Sequence, residues 1–240
     1  MRSKLFVPGS RPELFAKAMA GEADALSFDL EDAVDESRKA EARRELAKFL
    51  RGLPANHGKT IIVRVNGLDT PHFEADLEAV VGPGLDIVNL PKCEGRDDVR
   101  ACAAALTKFE RKARVEPADI MPNIETPRAL RLAAEIAAAA EHGTMIEING
   151  NPNRRDLNEG HVRRAVAAGV RIVCNTDAHR IRTLGNMPYG VATARRAGLT
   201  ADEVVNTRTW RSFNALRKPG RKLWCSRRAG PAAGQGCGGA

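Results

Sequence analysis

Long hydrophobic runs are missing from this 240-residue chain. No stretch approaches the roughly 18 apolar residues that a membrane-spanning helix needs, so no membrane association is expected. The opening segment, Met1–Pro8, turns polar within a few positions, which predicts no secretory leader. Aromatic side chains amount to only 4%, a poor supply for a surface on which single-stranded nucleic acid could stack. Cysteines are few and odd in number. The five thiols (Cys93, Cys102, Cys174, Cys225 and Cys237) lack metal-type spacing, which points to a reducing cytoplasm.

What is present is an ordinary globular composition, 43% hydrophobic and 28% charged, with enough chain for one large domain. The formal net charge is +8, and its location matters more than its size. Residues 195–228 hold ten Lys and Arg against Asp202 and Glu203, while the remaining residues balance. Nucleic acid is therefore a partner only through this late basic segment.

Short β-rich runs alternate with amphipathic stretches. The expected strands are Lys4–Val7, Ala25–Leu30, Thr60–Val65, Asp86–Leu90, Asp119–Ile124, Met145–Ile148 and Arg171–Asn175. Helices are expected over Glu36–Leu50, Pro127–Ala140, Tyr189–Arg196 and Ala201–Arg217, with Pro127 suited to a first helical turn. The alternation predicts an α/β fold with a parallel sheet, and seven β/α units favour a TIM-like barrel over an open sheet. The barrel is expected over residues 1–218, with a disordered Gly-rich and basic tail over 219–240.

Polar residues collect just after the strands, where barrel enzymes place their chemistry. They include Asp29, Glu31 and Asp32 after the second strand, Arg64 and Asn66 after the third, and Lys92 after the fourth. Glu125 follows the fifth strand, and Asp177 and His179 follow the seventh. Carboxylates beside an arginine suit a hard divalent cation and an anionic substrate. Two other readings stay open at this point. Asp32 or Asp35 could cap the following helix, and Arg64 could simply neutralise the acidic cluster. His57, His72, His142 and His161 read as solvated surface.

Several ordered motifs carry a family resemblance over residues 3 to about 138: Ser3–Glu13, Asp29-Leu30-Glu31-Asp32-Ala33-Val34, Val63-Arg64-Val65-Asn66-Gly67, Leu90-Pro91-Lys92 and Met121–Pro127. This stretch resembles the citrate lyase β-subunit-like branch of the HpcH/HpaI aldolases. The resemblance implies a Mg²⁺-dependent enzyme that makes or breaks a carbon–carbon bond in an acyl-CoA thioester of the citryl- or malyl-CoA type. An acyl-CoA or α-keto acid would be the substrate, and a homo-oligomer is a possible assembly. It also implies Glu125 as a metal ligand, Arg64 as the substrate clamp, and Asp29, Glu31 and Asp32 as a supporting shell. The family's second metal ligand lies in a Gly-x-x-Asp-Leu motif, which Arg155-Asp156-Leu157 only mimics here.

From Gly143 to Lys218 the chain instead resembles the end of a PHP domain of the type attached to bacterial family X DNA polymerases. The segments concerned are Glu147–Leu157, Asn175–His179 and Asn186–Arg196. This second resemblance implies Asp177 and His179 as ligands of Mn²⁺ or Zn²⁺ in a phosphoesterase or exonuclease. The two resemblances meet near Ala140–Gly143 and imply a chimera of 1–140 with 141–218, either catalytically incomplete or with Glu125, Asp177 and His179 sharing one metal.

Overall fold

The computed structural model describes residues 3–54, 57–133, 135–136, 145–153, 157–167, 169–209 and 212. The expected join, the tail over 219–240, His142, Arg155 and Asp156 lie outside them. Seven parallel strands occur in the expected order: β1 (Lys4–Pro8), β2 (Ala25–Asp29), β3 (Thr60–Arg64), β4 (Ile87–Leu90), β5 (Asp119–Pro122), β6 (Met145–Asn149) and β7 (Arg171–Asn175). The helices are α1 (Phe15–Ala20), α2 (Lys39–Gly52), α3 (Phe73–Val80), α4 (Arg96–Ala113), α5 (Pro127–Arg131), α6 (Glu159–Ala167) and α7 (Met187–Arg196).

Local chemistry explains several boundaries. Asp35 accepts a hydrogen bond from the Ser37 amide at 3.0 Å and caps the 3-10 turn Glu36–Arg38 that leads into α2. Asp32 plays no such part; its carboxylate faces Arg64 and Lys92. Thr126 caps α5 by accepting from the Ala129 amide at 3.1 Å, and Pro127 opens the first turn as expected.

Among the described residues the strands pair as two sheets, and closure into the expected seven-stranded barrel is not shown. One runs β1-β2-β3-β4-β5 and the other pairs β6 with β7. No pairing joins β5 to β6 among the described residues. On the other side, β1 meets the chain after β7 through a single parallel bridge, Leu5 to Ala178, where the Phe6 amide donates to the Ala178 carbonyl at 3.0 Å. The expected helix Ala201–Arg217 is also corrected. Over 201–207 the chain instead makes a turn, a bridge from Val204 to Ile172, and a short 3-10 turn Val205–Thr207. The Asn206 amide bonds both backbone groups of Cys174, at 3.1 and 2.7 Å, standing in for a strand on the edge of β7 that β6 leaves free.

The apolar residues divide in the same way. Phe15, Phe28 and Phe49 pack ring to ring between the five-stranded sheet and its helices, in a cluster that also buries Leu26, Leu46, Ile61, Val63, Leu77 and Val88. A second cluster joins Ile146, Ile148, Ile172 and Cys174 to Val162 and Ala194. Ile124 packs against both. Because side chains alternate along a strand, burying Phe28 among the helices turns Ser27 and Asp29 to the opposite face. The same alternation brings Lys4, Phe6, Arg64, Asn89, Glu147 and Asn175 to that inner face. Lys4, only 4% exposed, reaches Glu147 at 3.1 Å, and Asn175 donates to the same carboxylate at 2.7 Å. This half-buried ion pair ties β1 to the second sheet.

All three described cysteines are buried, and burial pushes their thiols up: Cys93 and Cys174 to about 11 and Cys102 to about 12. A thiol raised only in the folded state contributes fully below the ordinary value of 9.0. That contribution is lost as pH rises through the folded value. Urea midpoints are therefore expected to hold steady up to about pH 9 and to fall between about 9 and 11. At pH 8, native protein should alkylate at these three positions far more slowly than unfolded protein, as peptide mass analysis would show.

Candidate functional site

Parallel register brings the strand ends level: Pro8 lies beside Asp29, Asp29 beside Arg64, Arg64 beside Asn89, and Asn89 beside Met121. The polar residues that follow β2, β3, β4 and β5 thus gather on one rim. Gly9 makes this approach possible. Its amide donates to the Asp29 carbonyl at 2.8 Å, and a Cβ there would meet that oxygen at 2.7 Å.

Arg64 and Asp29 form the centre. The Arg64 fork donates from Nε to Asp29 Oδ1 at 2.8 Å and from Nη2 to Oδ2 at 2.5 Å. The same carboxylate accepts from the Glu31 amide at 2.9 Å and the Ala33 amide at 3.1 Å. Arg64 Nη1 lies 3.2 Å from Glu31 Oε2, and the guanidinium also stands over the Phe6 ring at 5.4 Å. Burial works against the Arg64 charge. The hydrogen bonds and charge of Asp29, helped by Glu31 and Asp32, outweigh it and raise the pKa. The neutralising role is therefore real, but the fork keeps N–H donors beyond the two spent on Asp29 and the one facing Glu31.

Glu31 is nearly buried, at 5% exposure, and that burial pushes its carboxyl above the ordinary range against the pull of Lys92 and Arg64. Its second oxygen, Oε1, lies 2.8 Å from Lys92 Nζ, which is also 3.6 Å from Asp32. Lys92 has a left-handed backbone, with φ of 50°. A non-glycine residue there costs on the order of 1 kcal/mol or more, so the surroundings must hold it. Sequence reasoning placed Lys92 in a motif without giving it a role. Lys39 was missed altogether. This buried lysine, first in α2, donates to the carbonyls of Leu30 and Glu31 at 3.1 and 3.0 Å and to Asn66 Oδ1 at 2.7 Å.

Glu125 stands exposed on the same rim, accepting from Asn123 Nδ2 at 3.0 Å, and its charge acts on Lys92. Such a carboxylate suits Mg²⁺, which takes one or two protein carboxylates and completes its shell with water and substrate oxygens. The shared metal site is not formed. Among the described residues no three His, Cys, Asp or Glu side chains converge as metal ligands. His179 instead stacks on Phe6 at 4.8 Å and 9°, with Nδ1 donating to the Asp177 carbonyl at 2.9 Å, and Asp177 is itself left-handed at φ 52°. Two expectations of solvated histidines also change. His72 bridges Arg43 at 3.2 Å and Glu36 at 2.6 Å, and His161 buries its Nδ1. His57 is half-buried, its Nδ1 accepting from the Lys59 amide at 3.3 Å.

A family model described as HpcH/HpaI aldolase/citrate lyase matches residues 2–158, which includes Asp29, Arg64, Lys92 and Glu125. The chain belongs to the HpcH/HpaI aldolase/citrate lyase family. The match runs through and past the join expected near Ala140–Gly143. A relative named L-malyl-CoA/beta-methylmalyl-CoA lyase, from Cereibacter sphaeroides, is 39% identical over 143 residues, 58% of this chain and 45% of its own. The citrate lyase subunit beta of Escherichia coli is 37% identical over 158 residues, 65% of this chain and 52% of its own. The chain thus spans about half the length of these relatives. A solved structure titled as the citrate lyase beta subunit of M. tuberculosis, complexed with oxaloacetate and magnesium, is similar at 30% identity with a TM-score of 0.52. That similarity covers 72% of this chain and 78% of the solved one. No helix among the described residues is long and apolar enough to cross a membrane.

Proposed function

We propose that this HpcH/HpaI aldolase/citrate lyase family member acts as a Mg²⁺-dependent lyase on a carbon–carbon bond of an acyl-CoA thioester, of the citryl- or malyl-CoA class. The observation that carries the reading is the rim on which Arg64, locked by Asp29, stands with Lys92 and the exposed carboxylate of Glu125. The family match includes every one of these residues, and a similar solved protein holds magnesium and oxaloacetate.

In this reading Glu125 holds the metal. Mg²⁺, when bound, polarises the carbonyl oxygen on which charge collects as the bond breaks or forms. Arg64 supplies its remaining N–H donors to the carboxylate of the α-keto acid, and the Asp29 fork keeps it in place before substrate arrives. Asp29, Glu31 and Asp32 act through Arg64 and Lys92. The reading gives no metal to Asp177 or His179, and no observation favours a phosphoesterase over the lyase.

The test is binding and cleavage by the purified chain. Oxaloacetate should bind with Mg²⁺ present and at least tenfold more weakly without it, and citryl- or malyl-CoA should be cleaved. Glu125→Gln, which keeps the shape but removes the charge, should reproduce the loss seen on removing Mg²⁺. A wild-type chain with neither Mg²⁺-dependent binding nor cleavage would sink the reading.

A further inference from the structure

Arg64, Glu31 and Lys92 form a chain of contacts on the rim, and the lyase reading gives Lys92 no ligand of its own. Glu31 offers one oxygen to Arg64 at 3.2 Å and the other to Lys92 at 2.8 Å. Two cations thus sit on the two ends of one buried carboxylate, which fixes the spacing between them. Their exposure differs: the Arg64 side chain is 12% exposed and that of Lys92 is 60% exposed. An ammonium carries three donors, more than the single contact with Glu31 can take up, and the Lys92 side chain is mostly exposed. Lys92 follows directly after β4 with a left-handed backbone, and the charge of Glu125 acts on its ammonium.

We propose that Lys92 is a specificity-determining residue, its ammonium taking the second carboxylate of a dicarboxylic α-keto acid whose first carboxylate faces Arg64. The proposal rests on the lyase reading and adds the residue that would hold the second carboxylate: a diacid is held at both ends and a monoacid at one. Glu31 is the spacer between the two cations. The same geometry gives Lys92 an opposite influence on metal. Its positive charge lies among Glu31, Asp32 and Glu125 and opposes a divalent cation there, so removing it should not weaken Mg²⁺ binding.

Titration calorimetry on the full chain tests this with Mg²⁺ alone, then oxaloacetate and pyruvate in saturating Mg²⁺. Lys92→Met is expected to bind oxaloacetate at least tenfold more weakly and pyruvate within about twofold of wild type, while Mg²⁺ alone binds as tightly or more tightly. Lys92→Arg should recover most of the oxaloacetate affinity. A general disturbance of the rim would instead weaken all three ligands together, and that result overturns the proposal. So does unchanged oxaloacetate binding in Lys92→Met. A wild-type chain that binds neither keto acid in Mg²⁺ overturns the lyase reading and this proposal with it, whereas binding by wild type without discrimination by Lys92→Met overturns this proposal alone.

Discussion

Replacing Arg64 by alanine is expected to cost about 3–5 kcal/mol of stability, the range for breaking a buried ion pair from one side. The loss exceeds that of an ordinary surface pair because the Asp29 and Glu31 side chains are only 3% and 5% exposed and cannot recover their hydration. Asp29 would keep its two amide partners, Glu31 and Ala33, but not its counter-ion. Urea unfolding should show the loss as a lower midpoint at unchanged slope. Adding Asp29→Asn removes one stranded charge, so the double variant should be more stable than Arg64→Ala alone, and a double-mutant cycle would measure the coupling. If Arg64→Ala unfolds within about 0.5 kcal/mol of wild type, the side chain is not the hub described here. Oxaloacetate binding should be lost in both variants, since neither retains the cation.

Asp76→Ala should have the second largest effect, about 2–4 kcal/mol, although Asp76 lies away from the rim. Its carboxylate is 1% exposed and accepts from the Asn66 amide at 2.9 Å, from Asn66 Nδ2 at 2.7 Å and from Arg43 Nε at 2.8 Å. Asn66 in turn holds Lys39, and Lys39 holds the carbonyls of Leu30 and Glu31. Removing Asp76 therefore frees the turn that carries Glu31 as well as stranding Arg43. A lower urea midpoint should be accompanied by weaker oxaloacetate binding with little change for Mg²⁺ alone, because Glu125 is reached from β5 and not from this chain of bonds. Asp76→Asn, which keeps the acceptor but not the charge, should lose about half as much. Equal stability of Asp76→Ala and wild type would show that water replaces the carboxylate without cost.

Much of the first five β/α units was legible because their signals are local. A strand such as Thr60–Arg64 is a short apolar run between turn residues, and Thr126-Pro127 marks a helix start by its own chemistry. The expected helix over Ala201–Arg217 failed in its first part, 201–207, where local signals compete. Val204 and Val205 are both buried, and Asn206 spends its side chain on Cys174, so this short segment pairs with β7. No helical period records such a partner, since β7 lies some thirty residues earlier in the chain. Seven units likewise suggested a closed ring, but sheet closure depends on backbone contacts between strands far apart in sequence.

The sequence by itself determined the parallel α/β order, the gathering of polar residues after the strands, and the motif residues Asp29, Arg64, Lys92 and Glu125. These follow from residue type and spacing, which act within a few positions of the chain. Tertiary structure alone decided which of those residues meet. Register put Asp29 beside Arg64, the exposed Lys92, left-handed in its backbone, met the buried Glu31 carboxylate, and the Lys4–Glu147 pair tied β1 to the second sheet. The ring of His179 came to lie on Phe6 of β1. For the Asp29–Arg64 pair the deciding energy is the desolvation of charge, and that exists only once distant segments have closed around it.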